Sequence, residues 1–109
     1  MDIRLKQLPF EFEGKTYMLR CNMNVLADVQ EAYGGDLSAA LDDKSALHSV
    51  LTFHAAMLND YADEMGWEER WSSRSVGRRL SIKDIPSAEI MQLVIAAIKG
   101  DSSEENEKN

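Results

Sequence analysis

Residues 43–66 read DKSALHSVLTFHAAMLNDYADEMG, and this stretch decides the fold. Leu47, Leu51, His54, Leu58, Tyr61 and Met65 recur at intervals of three and four, the spacing that stacks side chains along one side of an α-helix. Val50, Met57 and Ala62 widen that seam into a face broad enough to carry a core. Asp42 or Asp43 can accept hydrogen bonds from the first turn. Gly66 ends the helix, because glycine tolerates the left-handed backbone of a C-terminal cap. At ~1.5 Å per residue the segment is a rod roughly 30 Å long, the expected spine of the domain.

Upstream the periodicity is two. Phe10 and Phe12 alternate with Glu11 and Glu13, and Gly14-Lys15 supplies a two-residue turn. The expected hairpin pairs Phe12 with Tyr17 and Phe10 with Leu19, placing all four apolar side chains on one face. Pro9 has no amide donor, so it should interrupt the ladder and set residues 3–8 apart, or mark an edge. A lone hairpin is marginal in water and must lie against helices. From Asn22 the period becomes helical: Asn22 or Asn24 caps a helix carrying Leu26, Val29 and Tyr33, which Gly34-Gly35 ends. Asp36 caps a short helix over residues 37–41.

Beyond the spine, Ser72 or Ser73 caps a short helix that turns Val76 and Leu80 inward. Pro86-Ser87 opens a last helix over residues 88–99, with Ile90, Leu93, Val94, Ala97 and Ile98 inward and Gly100 closing it. Residues 101–109 contain four acids, one lysine and no apolar residue, the composition of a disordered tail. The pieces predict an α+β fold, mainly α: an N-terminal β-hairpin packed on a small helical bundle, one domain over residues 1–100.

Composition narrows the class. With 109 residues the chain makes one domain large enough for a core without disulfides or metal. No run of about 18 apolar residues is present, and no basic segment precedes an apolar one at the start, so neither a membrane span nor a secretory leader is expected. The single cysteine, Cys21, points to a reducing, cytoplasmic setting. Twelve Lys and Arg against nineteen Asp and Glu give a net charge of −7, which argues against general nucleic-acid binding.

Catalytic groups do not assemble on this pattern. His48 and His54 lie six residues apart, about 120° around a helix, and cannot chelate a metal as an i, i+4 pair does. On the apolar seam His54 reads as a core histidine with one hydrogen-bond partner, and Cys21 as a small buried thiol at a strand end. Phosphate-loop, dinucleotide and Gly-x-Ser-x-Gly motifs are absent, and the acids of residues 60–69 lack calcium-loop spacing. No enzyme activity, cofactor or metal is expected.

Charge then switches sign. Asp60, Asp63, Glu64, Glu68 and Glu69 are followed by Arg70, Arg74, Arg78, Arg79 and Lys83. The arginines can pair with the neighbouring acids or solvate a face. Alternatively, residues 73–80 are similar to a helix-turn-helix recognition segment, with Arg74, Arg78 and Arg79 on phosphates. Trp67 and Trp71 either cover the end of the core or serve as interface anchors. As a partner surface the segment would offer Trp67, Trp71, Arg74, Arg78 and Arg79.

Taken in order, GKTYMLR (residues 14–20), MNVLADVQEAYG (residues 23–34), DLSAAL (residues 36–41), the long helix with its acidic end, SVGRRL (residues 75–80) and the terminal helix resemble the tail assembly chaperones of long-tailed phages and prophages, particularly of Gram-positive hosts. The similarity covers about residues 10–100; the stretch between Trp67 and Trp71 and the basic residues after it have no counterpart in the family pattern. The resemblance implies a non-enzymatic factor of the host cytoplasm that coats the helical tape-measure protein, self-associating in a coat, until the tail tube polymerises. Such a factor is absent from the finished virion. It also implies a frameshift-extended form that recruits the tail tube protein, for which residues 101–109 are a suitable place of extension.

Overall fold

The computed structural model describes residues 6–42 and 46–99. Two strands, β1 (Leu8–Phe12) and β2 (Lys15–Leu19), are followed by helices α1 (Met23–Ala32), α2 (Leu37–Leu41) and α3 (Ala46–Met65). Then come α4 (Ser73–Arg79), a 3-10 turn over Ile82–Asp84, and α5 (Ser87–Ile98). The hairpin lies along α3 through β2, and α3 also packs against α1, α4 and α5, while α2 lies on α1. This is an α+β domain, mainly helical, with its hairpin seated on a bundle.

Local capping follows the sequence. Asn22 accepts from the Val25 amide at 3.0 Å, Asp36 from the Ala39 amide at 3.3 Å, and Ser72 from the Ser75 amide at 3.1 Å. Ser75 Oγ accepts the Ser72 amide in return, closing a reciprocal capping box. Gly66 ends α3 at φ 75°, and the Trp67 amide reaches back to the Ala62 carbonyl at 2.8 Å. The expected Asp43 cap, the Gly100 stop, residues 3–5 and the tail over 101–109 lie outside the described residues.

The hairpin register differs from expectation. Its turn is Glu13-Gly14, with φ of 50° and 82°, so Phe12 faces Lys15, Phe10 faces Tyr17 and Leu8 faces Leu19. Two positive φ values in a two-residue loop suit the right-handed twist of the strands, and that fit outweighs the cost of a glutamate in the left-handed region. Each partner has moved by two residues, and a two-residue shift keeps every side chain on its face. The apolar face therefore survives, with Leu8 and Lys15 added to it.

Pro9 does not interrupt the ladder: β1 runs through it, opposite Met18. Counting outward from the turn, Phe12 and Phe10 occupy hydrogen-bonded pairs and Pro9 a non-hydrogen-bonded one. Its missing amide would have pointed away from β2, so the ladder loses nothing. The ring instead blunts the outer edge of β1, as the edge expectation requires.

Burial on α3 is broader than the anticipated seam. Thr52 to Leu58 are all buried, including Phe53 at 0% exposure, because neighbours cover the helix middle from several sides. Its ends project: Leu47 and Met65 are each 48% exposed, while Leu51 and Tyr61 are half-buried. On α5, Ile90, Leu93 and Val94 are buried but Ile98 faces solvent, which corrects its inward assignment. Val76 is fully buried and Leu80 half-buried.

Candidate partner-binding surface

After α3 the chain folds back along the hairpin, and this return builds an aromatic layer. Trp67 is half-buried, edge-on to Tyr17 at 5.2 Å and Tyr61 at 5.7 Å, with the Lys15 ammonium 4.8 Å above its ring. Trp71 is only 4% exposed and meets Phe12 edge-on at 5.3 Å. Asn59 on α3 fixes it there. Its side chain accepts the Trp71 amide at 2.7 Å and donates to the Trp71 carbonyl at 2.8 Å, satisfying both backbone groups of a buried residue. Trp71 thus belongs to the monomer's core, and of the two tryptophans only Trp67 reaches the surface.

Arg79 is held from both sides. Its guanidinium lies 4.4 Å from the Trp71 ring and 4.9 Å from Phe12, donates to Glu69 at 2.6 Å and sits 3.5 Å from Glu13. Glu69 also accepts from the Tyr17 hydroxyl at 3.1 Å and lies 3.9 Å from the Lys15 ammonium. The hydrogen bond from Arg79 holds the Glu69 carboxyl below the usual carboxylate range, against a smaller opposing effect of burial. Arg70 pairs with Asp63, and Arg20 with Glu64 and Asp60. Pairing between the acidic and basic runs therefore accounts for Arg70 and Arg79.

Arg74 and Arg78 behave differently. They lie one turn apart on the exposed side of α4, and neither makes an ion pair or hydrogen bond among the described residues. Between them and α3 runs a groove of about 370 Å³ lined by His48, Leu51, Ser73, Arg74, Gly77 and Arg78. The five side chains singled out from the sequence are thus divided among the core (Trp71), a half-buried position at its edge (Trp67), an exposed arginine stacked on the aromatic layer and paired with Glu69 (Arg79), and a basic ridge without partners among the described residues (Arg74 and Arg78). The apolar seam places Leu47 inward, whereas it is 48% exposed, and Gly77 lines the groove although spacing gives it no role. An isolated glycine inside a helical, arginine-rich run was the signal available.

A helix-turn-helix arrangement needs a tight turn of about three or four residues before the recognition helix. Here residues 66–72 separate α3 from α4 and run along the hairpin, with Arg79 occupied by Glu69.

Burial sets the titration of His54 and Cys21. His54 is fully buried, edge-on to Phe10 at 4.7 Å, and neither ring nitrogen has a hydrogen-bond partner among the described residues; the expected single partner is absent. Burial lowers its pKa to about 4, keeping the ring neutral near pH 7. Burial likewise pushes the Cys21 thiol up to about 12, leaving almost no thiolate to act as a nucleophile. Among the described residues no group of three or more His, Cys, Asp or Glu side chains is placed to hold a metal ion, and no helix is long and apolar enough to cross a membrane. Searches with protein-family models, among curated proteins and among solved structures find no match to this chain.

Proposed function

We propose that this chain is a non-enzymatic tail assembly chaperone of a long-tailed phage or prophage, binding the tape-measure protein and keeping it soluble until the tail tube assembles around it. The observation that carries the reading is the order of elements along the chain. A hairpin, a capped helix ended by two glycines, a short helix, a long central helix with an acidic end, a short basic helix and a terminal helix follow one another as in the family that the sequence resembles.

Physical features support the role. A net charge of −7 suppresses aggregation of a loaded carrier. Met23 is 77% exposed, Ile82 73%, and Leu47 and Met65 about half, so apolar side chains are available at several points for an amphipathic helix. On this reading the protein acts in the host cytoplasm, departs before the virion is complete and self-associates along its client. A frameshift-extended form would recruit the tail tube protein.

The reading is tested by diluting denatured tape-measure protein into buffer with and without the chain and following light scattering. Suppression of scattering at near-stoichiometric ratios, with both proteins in one soluble complex, is the expected result. Scattering unchanged at several-fold molar excess of the chain would contradict it.

A further inference from the structure

We infer that the groove between α3 and α4 is the docking site for an acidic amphipathic helix of a partner protein, whose carboxylates meet Arg74 and Arg78 and whose apolar side chain enters above Gly77 and Leu51. The identity of that partner as the tape-measure protein rests on the function proposed above; the groove and its chemistry stand on separate observations.

Charge distribution is the first of these. Arg20, Arg70 and Arg79 each have a carboxylate within 4 Å, whereas Arg74 and Arg78 have none among the described residues. Two cations at i and i+4 repel one another on the helix surface, so leaving them unpaired in a chain with excess acid is unfavourable within the monomer. A partner carboxylate relieves that repulsion, and paired carboxylates one turn apart on a helix match the spacing of the two guanidiniums.

Gly77 is the second. It lies between the arginines on a seven-residue helix, where glycine weakens the helix relative to alanine. Its φ is not in the left-handed region. An added Cβ would meet only Leu51 Cδ1 at 3.5 Å, an ordinary contact. Nothing among the described residues requires glycine there. What its absent side chain does is deepen the floor of the groove, where another helix can approach closely.

Apolar surface is the third. The half-buried Leu51 lines the groove, and Leu47, one turn before it on α3, is 48% exposed. A floor of glycine and leucine rimmed by two arginines suits a helix with a leucine flanked by glutamates. Among the described residues the groove would offer a phosphate backbone two free arginines over an apolar floor, in a strongly acidic protein.

Two synthetic helical peptides of identical leucine spacing provide the probe, one with glutamate and one with lysine at the positions flanking the leucines, each followed by fluorescence anisotropy. The full chain should bind the glutamate peptide about tenfold or more tightly than the lysine peptide. In the double variant Arg74→Glu/Arg78→Glu the preference should reverse, while Gly77→Leu should weaken the glutamate peptide about tenfold with its cooperative melt retained. Equal affinity for the two peptides, or the same preference in the double variant, overturns the inference. So does tight binding of a DNA duplex that the double variant loses, since the arginines would then serve phosphates. If the tape-measure protein co-purifies equally with wild type and double variant, the groove inference fails and the chaperone reading stands. If the charge reversal is seen but wild type does not hold the tape-measure protein, the groove stands and that reading fails.

Discussion

Replacing His54 with leucine should make the domain more stable and less sensitive to acid. Both ring nitrogens are buried without partners among the described residues, and a buried polar group left unpaired costs about 1–3 kcal/mol. Leucine removes that penalty but forfeits the edge-on contact with Phe10 at 4.7 Å, worth about 0.5–1.5 kcal/mol. The net gain at pH 7 is then about 1 kcal/mol. Acid enlarges it. The folded pKa of about 4 lies below the ordinary 6.5, so between those values the unfolded chain holds a proton that the native chain does not. Stability therefore rises with pH through that window and is lost as pH falls below 6.5. The two pKa values give a loss of about 2 kcal/mol between pH 7 and pH 5, from a total of about 5–15 kcal/mol. Urea unfolding of wild type and His54→Leu at both pH values isolates this residue, because every other ionisable group is common to the two proteins. The gap between their midpoints should widen by about 1 M on acidification. A variant destabilised at pH 7, with a gap independent of pH, would refute the reasoning and show that His54 is solvated or hydrogen-bonded in solution.

Other substitutions probe the return segment. Trp71→Ala should cost about 3–5 kcal/mol in denaturant unfolding and Trp67→Ala roughly half of that or less, since only the former is buried; equal costs would contradict the division between them. Asn59→Ala should cost about 2 kcal/mol and speed hydrogen exchange at the Trp71 amide, because it strips both backbone groups of their partners. An amide still protected to the same degree would show that the clamp is dispensable. Gly77→Ala should raise stability by about 0.5–1 kcal/mol, as its Cβ meets Leu51 at an ordinary distance; a lower melting temperature would mean that the site is tighter than described.

What was legible in the sequence was what local chemistry controls. Asn22, Asp36 and Ser72 cap helices because a short polar side chain reaches the amide three residues on, and Gly66 stops α3 for a backbone reason independent of the rest of the fold. The turn was misplaced by one residue because a glutamate at φ 50° is unfavourable by itself and is accepted only for the twist it gives the paired strands. Side-chain alternation survived the error, since a two-residue shift leaves faces unchanged.

Burial was less legible. Phe53 lies off the apolar seam read from spacing, and its burial depends on the assembly of the hairpin and helices α1, α4 and α5 around α3. Trp71 reads equally as anchor or core until Asn59, twelve residues earlier, is seen to hold its backbone. Of the proposed site, the arginine run was visible as charge. Which arginines remain unpaired depends on where Glu69 and Asp63 fall in space, and no spacing rule supplies that.

The central claim is tested most directly by co-expressing the full chain with the tape-measure protein encoded in the same gene cluster and purifying through a tag on the chain. The account predicts that the tape-measure protein, insoluble alone, is recovered in soluble form in a stable complex with the chain. A tape-measure protein that remains insoluble while the chain elutes alone would contradict it.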